Sequence, residues 1–92
     1  MKGFDWNNDK NQCLKENRGI SFENIAFCIE HGGLVDSYEH PNREKYANQS
    51  IFVVACNSYY YLVPYVEEEE YFFLKTIIPN RKARRTYGEA DD

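Results

Sequence analysis

The sequence is short of the residues that build metal, redox and membrane sites. Three cysteines and two histidines are spread over 92 residues, and Cys13, Cys28 and Cys56 stand too far apart for a C-x-x-C zinc or redox motif. Three thiols cannot all pair within one chain, so they are expected to be reduced, with Cys28 and Cys56 serving as small core residues. The longest apolar stretches, Ile51 to Cys56 and Tyr59 to Val66, fall far below the ~18 to 20 residues of a membrane span. The opening Met1-Lys2-Gly3-Phe4-Asp5-Trp6 turns polar at once, unlike a secretory signal, and a cytoplasmic location is expected. A phosphate-cradling glycine loop, a nucleophile elbow and an H-E-x-x-H pair are all missing. Most enzyme classes drop out, and neither a metal nor another cofactor is expected.

What is there suits one small folded domain spanning residues 1–92. Hydrophobic residues make up 42% and charged residues 28%, the balance of a globular chain rather than a disordered one. The net charge of −4 argues against nucleic acid until the acids are located. Glu67, Glu68, Glu69 and Glu70 form one run, and Glu89, Asp91 and Asp92 end the chain; without them eight acids face eleven Lys and Arg. Between Lys75 and Arg85 lie Lys75, Arg81, Lys82, Arg84 and Arg85 and no acid, a local basic footprint of the kind nucleic-acid binding requires.

The order of elements reads as α+β. Phe4-Asp5-Trp6 forms a short strand or extended arm, and residues 7 to 17 form an amphipathic helix with Cys13 and Leu14 on one side, stopped by Gly19. Ser21 caps a second helix, residues 21 to 31, where Phe22, Ile25, Ala26 and Ile29 repeat at helical spacing before Gly32-Gly33. His31 serves as a capping residue in its last turn. Leu34 to Tyr38 is a strand, Glu39 to Asn48 a polar loop, and Ser50 to Cys56, Tyr59 to Val66 and Tyr71 to Ile78 are strands. Asn57-Ser58 and the four glutamates supply the two hairpin turns. Pro64 cannot donate to a ladder, so a bulge or unpaired segment is expected near it. The expected architecture is two N-terminal helices on one face of a mostly antiparallel sheet of three to five strands. A short helical segment from Arg81 to Tyr87 and a flexible acidic tail at 88–92 follow. Function is expected on the sheet face away from the helices.

The chemistry-bearing residues are cationic and aromatic. RNA cleavage by attack of its own 2′-OH needs those types: the nucleophile belongs to the substrate, so the protein supplies proton transfer and cations for the charge developing on phosphate. His40 is of the residue type suited to proton transfer near neutral pH. Arg43, Lys45 and Tyr46 stand beside it in the loop. Tyr61 lies on the middle strand, where aromatic rings can hold splayed bases. Arg81, following a strand-ending proline, is the best single candidate.

These residues also resemble a known family. Phe4-Asp5-Trp6-Asn7-Asn8-Asp9-Lys10-Asn11 with Arg18-Gly19-Ile20-Ser21-Phe22-Glu23, Glu44-Lys45-Tyr46, and Ile77-Ile78-Pro79-Asn80-Arg81-Lys82-Ala83 with Tyr87 resemble the opening, middle and closing patterns of the BrnT-like toxins of type II toxin-antitoxin systems. Those toxins share the RelE/ParE-type fold. Arg18 stands where the family pattern has histidine, and Lys45 where it has arginine. The resemblance implies a RelE-like fold and a metal-independent endoribonuclease that inhibits translation and growth. It also implies neutralisation by a protein antitoxin encoded beside it, through which alone DNA would be met. Arg81 and Lys45 would stabilise the transition state, and His40 or Tyr87 would transfer protons. Lys75, Lys82, Arg84, Arg85, Arg43, Tyr46 and Tyr61 would hold RNA. The alternative is a non-catalytic module of the same fold that binds protein or RNA.

Overall fold

The computed structural model describes residues 2–82. The expectations for Arg84, Arg85 and Tyr87, for the helical segment past Lys82 and for the tail at 88–92 lie outside the described residues.

Strand β1 (Gly3–Trp6) leads into helix α1 (Asn8–Arg18). Asn7 caps that helix by accepting the Lys10 N–H at 2.9 Å, and Gly19 closes it. The buried face of α1 is Asn11 and Leu14, whereas Cys13 is exposed, which corrects the expected Cys13–Leu14 side. Helix α2 (Phe22–Cys28) starts at Ser21 in a capping box. The Ser21 hydroxyl accepts the Asn24 N–H, and the Asn24 carboxamide oxygen accepts the Ser21 N–H in return. One wider turn, Ile29–Gly33, runs the chain out of the helix. Gly32 there has φ +91°, which favours glycine, and a Cβ on Gly33 would lie 2.6 Å from the carbonyl oxygens of both Cys28 and Ala55. Here the chain presses backbone to backbone against the sheet. Within this turn His31 acts as a capping residue, its Nδ1 2.8 Å from the Phe27 carbonyl and its ring stacked on Phe27.

Among the described residues, five strands follow α2. Strand β2 (Leu34–Glu39) pairs with β3 (Gln49–Cys56), and β3 with β4 (Tyr59–Glu67). Asn57 and Ser58 connect β3 to β4 with φ of 53° and 69°, the left-handed pair of a tight hairpin whose twist matches its strands. Strand β5 (Tyr71–Leu74) returns antiparallel to β4 after the glutamate tip, and β6 (Ile78–Pro79) pairs with β4 further along. The expected strand Tyr71 to Ile78 is therefore interrupted. Its break lies opposite Pro64, whose carbonyl accepts the Lys75 N–H at 2.8 Å but whose nitrogen has no proton for the ladder. The unpaired segment expected beside Pro64 is this one.

The sheet runs β1-β5-β4-β3-β2 with β6 also on β4, six strands among the described residues. β1 lies parallel to β5, Phe4 beside Phe72 and Trp6 beside Leu74. The fold is thus α+β with a mixed sheet of six strands among the described residues, one more than the three to five expected; its pairings are mostly antiparallel, as expected, the exception being the parallel pairing of β1 with β5. Parallel pairing of the first strand with the fifth joins residues almost seventy positions apart, beyond any local sequence signal. The core lies between α1, α2 and one sheet face: Leu14, Ile20, Phe22 and Ile25 pack on Phe52, Val54, Val63, Tyr65, Leu74 and Ile77. No helix among the described residues is long and apolar enough to cross a membrane.

The expectation of three reduced cysteines is overturned. Cys28 and Cys56 form a disulfide that ties the end of α2 to the end of β3, with Cα atoms 5.7 Å apart. Core burial and disulfide geometry place the same demand on both residues, which is why buried thiols and a bridge look alike in sequence. Cys13 alone is free.

Candidate functional site

The side chains of β3 and β4 alternate between faces, and register assigns them. Cys56 is bonded to Cys28 of α2, so its partner Tyr59 shares the helix side, as do Val54 with Tyr61 and Phe52 with Val63. Tyr61 is buried, but Tyr59, at the hairpin end, is 54% exposed. The two rings lie 6.1 Å apart, tilted by 44°.

Arg18 reaches the same place from the last residue of α1. Its spacing from Asn11 and Leu14 puts it on the inward stripe of that helix, and its Nη1 donates to the Ile77 carbonyl at 2.6 Å. β6 completes the arrangement: Pro79 pairs with Tyr61, and the Asn80 N–H donates to the Tyr60 carbonyl at 2.9 Å. Arg81 follows directly. Arg18, Tyr59, Tyr61, Pro79, Asn80 and Arg81 enclose a cleft of about 430 Å³. Two arginines and two tyrosines line it, and among the described residues no carboxylate does.

Such a cleft attracts an anion. Arginine presents a rigid fork of N–H donors matched to phosphate, and Arg18 is held in place by its bond to Ile77 before any ligand arrives. Burial, with a smaller contribution from nearby Tyr59, pushes the Tyr61 phenol above its ordinary value of 10.0. Tyr61 therefore remains a neutral O–H donor across the physiological range. The cleft lies at the rim of the helix-covered face, whereas the sequence pointed to the other face. Small-molecule sites typically occupy about 300 to 1,000 Å³, so the volume suits one nucleotide-sized group.

The structure divides the residues singled out in the sequence. Arg81 and Tyr61 meet in the cleft, joined by Arg18 and Tyr59, which the sequence reading had not placed in the site. The spacing 11-14-18 could have found Arg18, had Asn11 been counted as an inward residue. His40, Arg43, Lys45 and Tyr46 belong to the loop at the opposite end of the sheet. His40 donates its backbone N–H to the Gln49 carbonyl, and Gln49 pairs with Val66, at the far end of β4 from Tyr61. The separation along β4 is roughly 17 Å of extended strand.

That loop is tightly knit. The His40 ring lies 4.3 Å from that of Tyr46, and its Nδ1 accepts the Asn42 N–H at 3.1 Å. The Lys45 ammonium sits 5.3 Å from the Tyr46 ring centroid. Arg43 donates to the carbonyls of Ala47 and Gln49, bonds that fix the loop itself. Lys75 lies over Phe73 at 5.4 Å; Phe73 pairs with Val66, on the sheet face away from the helices. Lys82 is exposed next to Arg81. Among the described residues no group of three or more His, Cys, Asp and Glu is placed to hold a metal ion.

Comparison of the chain with known protein families, with characterised proteins and with solved structures gives no significant match.

Proposed function

We propose that this protein is an RNA-cleaving toxin of RelE-like fold, acting in the cytoplasm without a metal and held inactive by a protein antitoxin encoded beside it. The observation that carries this reading is the convergence of Arg81 and Arg18 with Tyr59 and Tyr61 around one cleft that, among the described residues, no carboxylate lines. A phosphodiester there would meet two cations and a neutral phenol. As the substrate's 2′-OH attacks, negative charge grows on the phosphate oxygens, and a preorganised guanidinium stabilises it more than it stabilises the ground state. Arg81 takes that role. Tyr61, kept protonated by burial, can give its proton to the departing 5′-oxygen, a stronger base than a phenolate. Tyr87, outside the described residues, keeps its proposed part in proton transfer. Lys82 would hold the RNA backbone beside the cleft, a role also proposed for Arg84 and Arg85, which lie outside the described residues.

A second reading is favoured by a different observation: no histidine lines the cleft, and His40 and Lys45 lie at the opposite end of the sheet. A non-catalytic module that binds RNA or a partner protein would need only the cations and rings. Cleavage of single-stranded RNA by purified protein, with and without ribosomes, separates the two. Activity lost in a folded Arg81→Ala variant supports the toxin; an inert wild-type protein that does not slow growth when expressed alone supports the binding module.

A further inference from the structure

We infer that the cleft between α1 and β6 is a mononucleotide subsite, in which Tyr59 stacks on the base of an RNA residue and Arg18 with Arg81 grips its 3′-phosphate. The inference rests on the RNA reading above and deepens it by giving Arg18 and Tyr59, which the sequence reading left outside the site, distinct roles in holding the substrate.

Three observations converge on it. Tyr59 is left 54% exposed at the wall of the cleft while its neighbour Tyr61 is buried, and the ring pair is splayed by 44°. An aromatic ring gains most from a flat apolar partner on its open side. Arg18 spends one of its five N–H donors on the Ile77 carbonyl, which fixes the guanidinium and leaves donors for an anion. The volume, about 430 Å³, accommodates a base with its sugar and phosphate and is too large for phosphate alone. An acidic side chain of a protein partner would satisfy the arginines but would leave the Tyr59 ring without a stacking partner, so the nucleotide uses more of what the cleft presents.

The test measures equilibrium binding of adenosine 3′-monophosphate, inorganic phosphate and an Asp/Glu-rich peptide to the full chain by calorimetry, at 50 and 200 mM salt. The nucleotide is expected to bind about 5- to 150-fold more tightly than phosphate, the worth of one stacked base. Tyr59→Ala should erase that difference while phosphate binding stays unchanged, and Tyr59→Phe should restore it. Arg18→Gln should weaken nucleotide and phosphate together and flatten the salt dependence; Arg18→Lys should recover charge without full affinity. Circular dichroism and melting temperature confirm that each variant is folded.

Equal affinity for nucleotide and phosphate, or a Tyr59→Ala protein that still prefers the nucleotide, overturns the subsite. Tight binding of the peptide with none of the nucleotide overturns it too, and makes the cleft a protein-docking site. RNA cleavage without nucleotide preference would remove the subsite and leave the toxin reading standing; nucleotide preference without cleavage would do the reverse.

Discussion

The carboxamide oxygen of Asn11 accepts the backbone N–H of Phe22 at 2.8 Å, while its nitrogen donates to Glu23 at 2.7 Å. A residue in the middle of α1 thereby satisfies the first turn of α2, where backbone donors have no helical partner. Asn11 is only 5% exposed, so water cannot easily take its place. Asn11→Ala is expected to cost about 1 to 3 kcal/mol, the range for leaving a buried polar group unpaired, read by urea denaturation. Glu23 adds a pH dependence. The Asn11 hydrogen bond is the largest cause holding its carboxyl below the ordinary 4.5, and Lys15 helps. A lowered carboxylate contributes stability above its unfolded value and loses it as pH falls through the folded one. The difference in stability between wild type and Asn11→Ala should therefore narrow below about pH 4.5.

The disulfide between Cys28 and Cys56 closes a loop with a sequence separation of 28. Cross-linking a loop of that length restricts the unfolded chain by about 3 to 4 kcal/mol in the chain-entropy account. Protein purified without reductant should show a single reactive thiol, Cys13, after unfolding, and its melting temperature should drop on reduction. Cys28→Ser should melt like the reduced protein and be insensitive to reductant. Two further thiols in the unreduced protein would place Cys28 and Cys56 as separate core residues instead.

Gly33 tests the packing that brings this bridge together. A methyl there would meet two carbonyl oxygens, of Cys28 and Ala55, at 2.6 Å. Gly33→Ala is expected to destabilise by about 1 to 3 kcal/mol, as overpacking does, whereas Gly3→Ala, where nothing lies within 4 Å, should change stability little. Thermal melts of the pair check the contrast.

Local signals in the sequence were read well where one side chain or turn decides the outcome. Ser21 before Phe22 and Ile25 gives the start of α2, Asn57-Ser58 the hairpin, and Pro64 the break between β5 and β6. The unread parts depend on residues far apart in the chain. Nothing near Phe4 shows that it will lie beside Phe72, and nothing near Cys28 shows that it will meet Cys56. The site was half legible for the same reason. Arg81 and Tyr61 are visible as types, but that Arg18 joins them depends on the packing of α1 against Ile77, and that Lys45 does not depends on the register of β3 and β4.

Tyr61 ties the cleft to pH. Its phenol is pushed up from 10.0, first by burial and then by Tyr59. With a folded value above the unfolded one, the stability contribution is fully present below pH 10 and is lost as pH rises through the folded value, where the unfolded chain already holds fewer protons. Tyr61→Phe should therefore flatten the fall in stability above about pH 10. If Tyr61 donates to the 5′-oxygen, the same variant should also lower RNA cleavage by about 100- to 10,000-fold, the typical worth of a positioned general acid.

On the proposed RNA-cleaving reading, the separation of the two cationic groups predicts which residues would touch the reacting phosphate. Arg81 lines the cleft, whereas His40 and Lys45 are packed around Tyr46 at the other end of β4. Loss of one preorganised donor at a transition state costs about 100- to 1,000-fold in rate, so Arg81→Ala should fall by that factor with its fold retained. His40→Ala and Lys45→Ala should cleave a short single-stranded RNA within about twofold of wild type, since surface changes away from a site shift little. Arg43 differs from both: its guanidinium holds the Ala47 and Gln49 carbonyls, so Arg43→Ala should loosen the loop and lower the melting temperature without a direct loss of rate. Parallel cleavage assays and melts on the four variants resolve these roles. A His40→Ala or Lys45→Ala protein as crippled as Arg81→Ala would mean that the substrate spans both ends of the sheet, and the reacting phosphate could then no longer be assigned to the Arg18–Arg81 cleft.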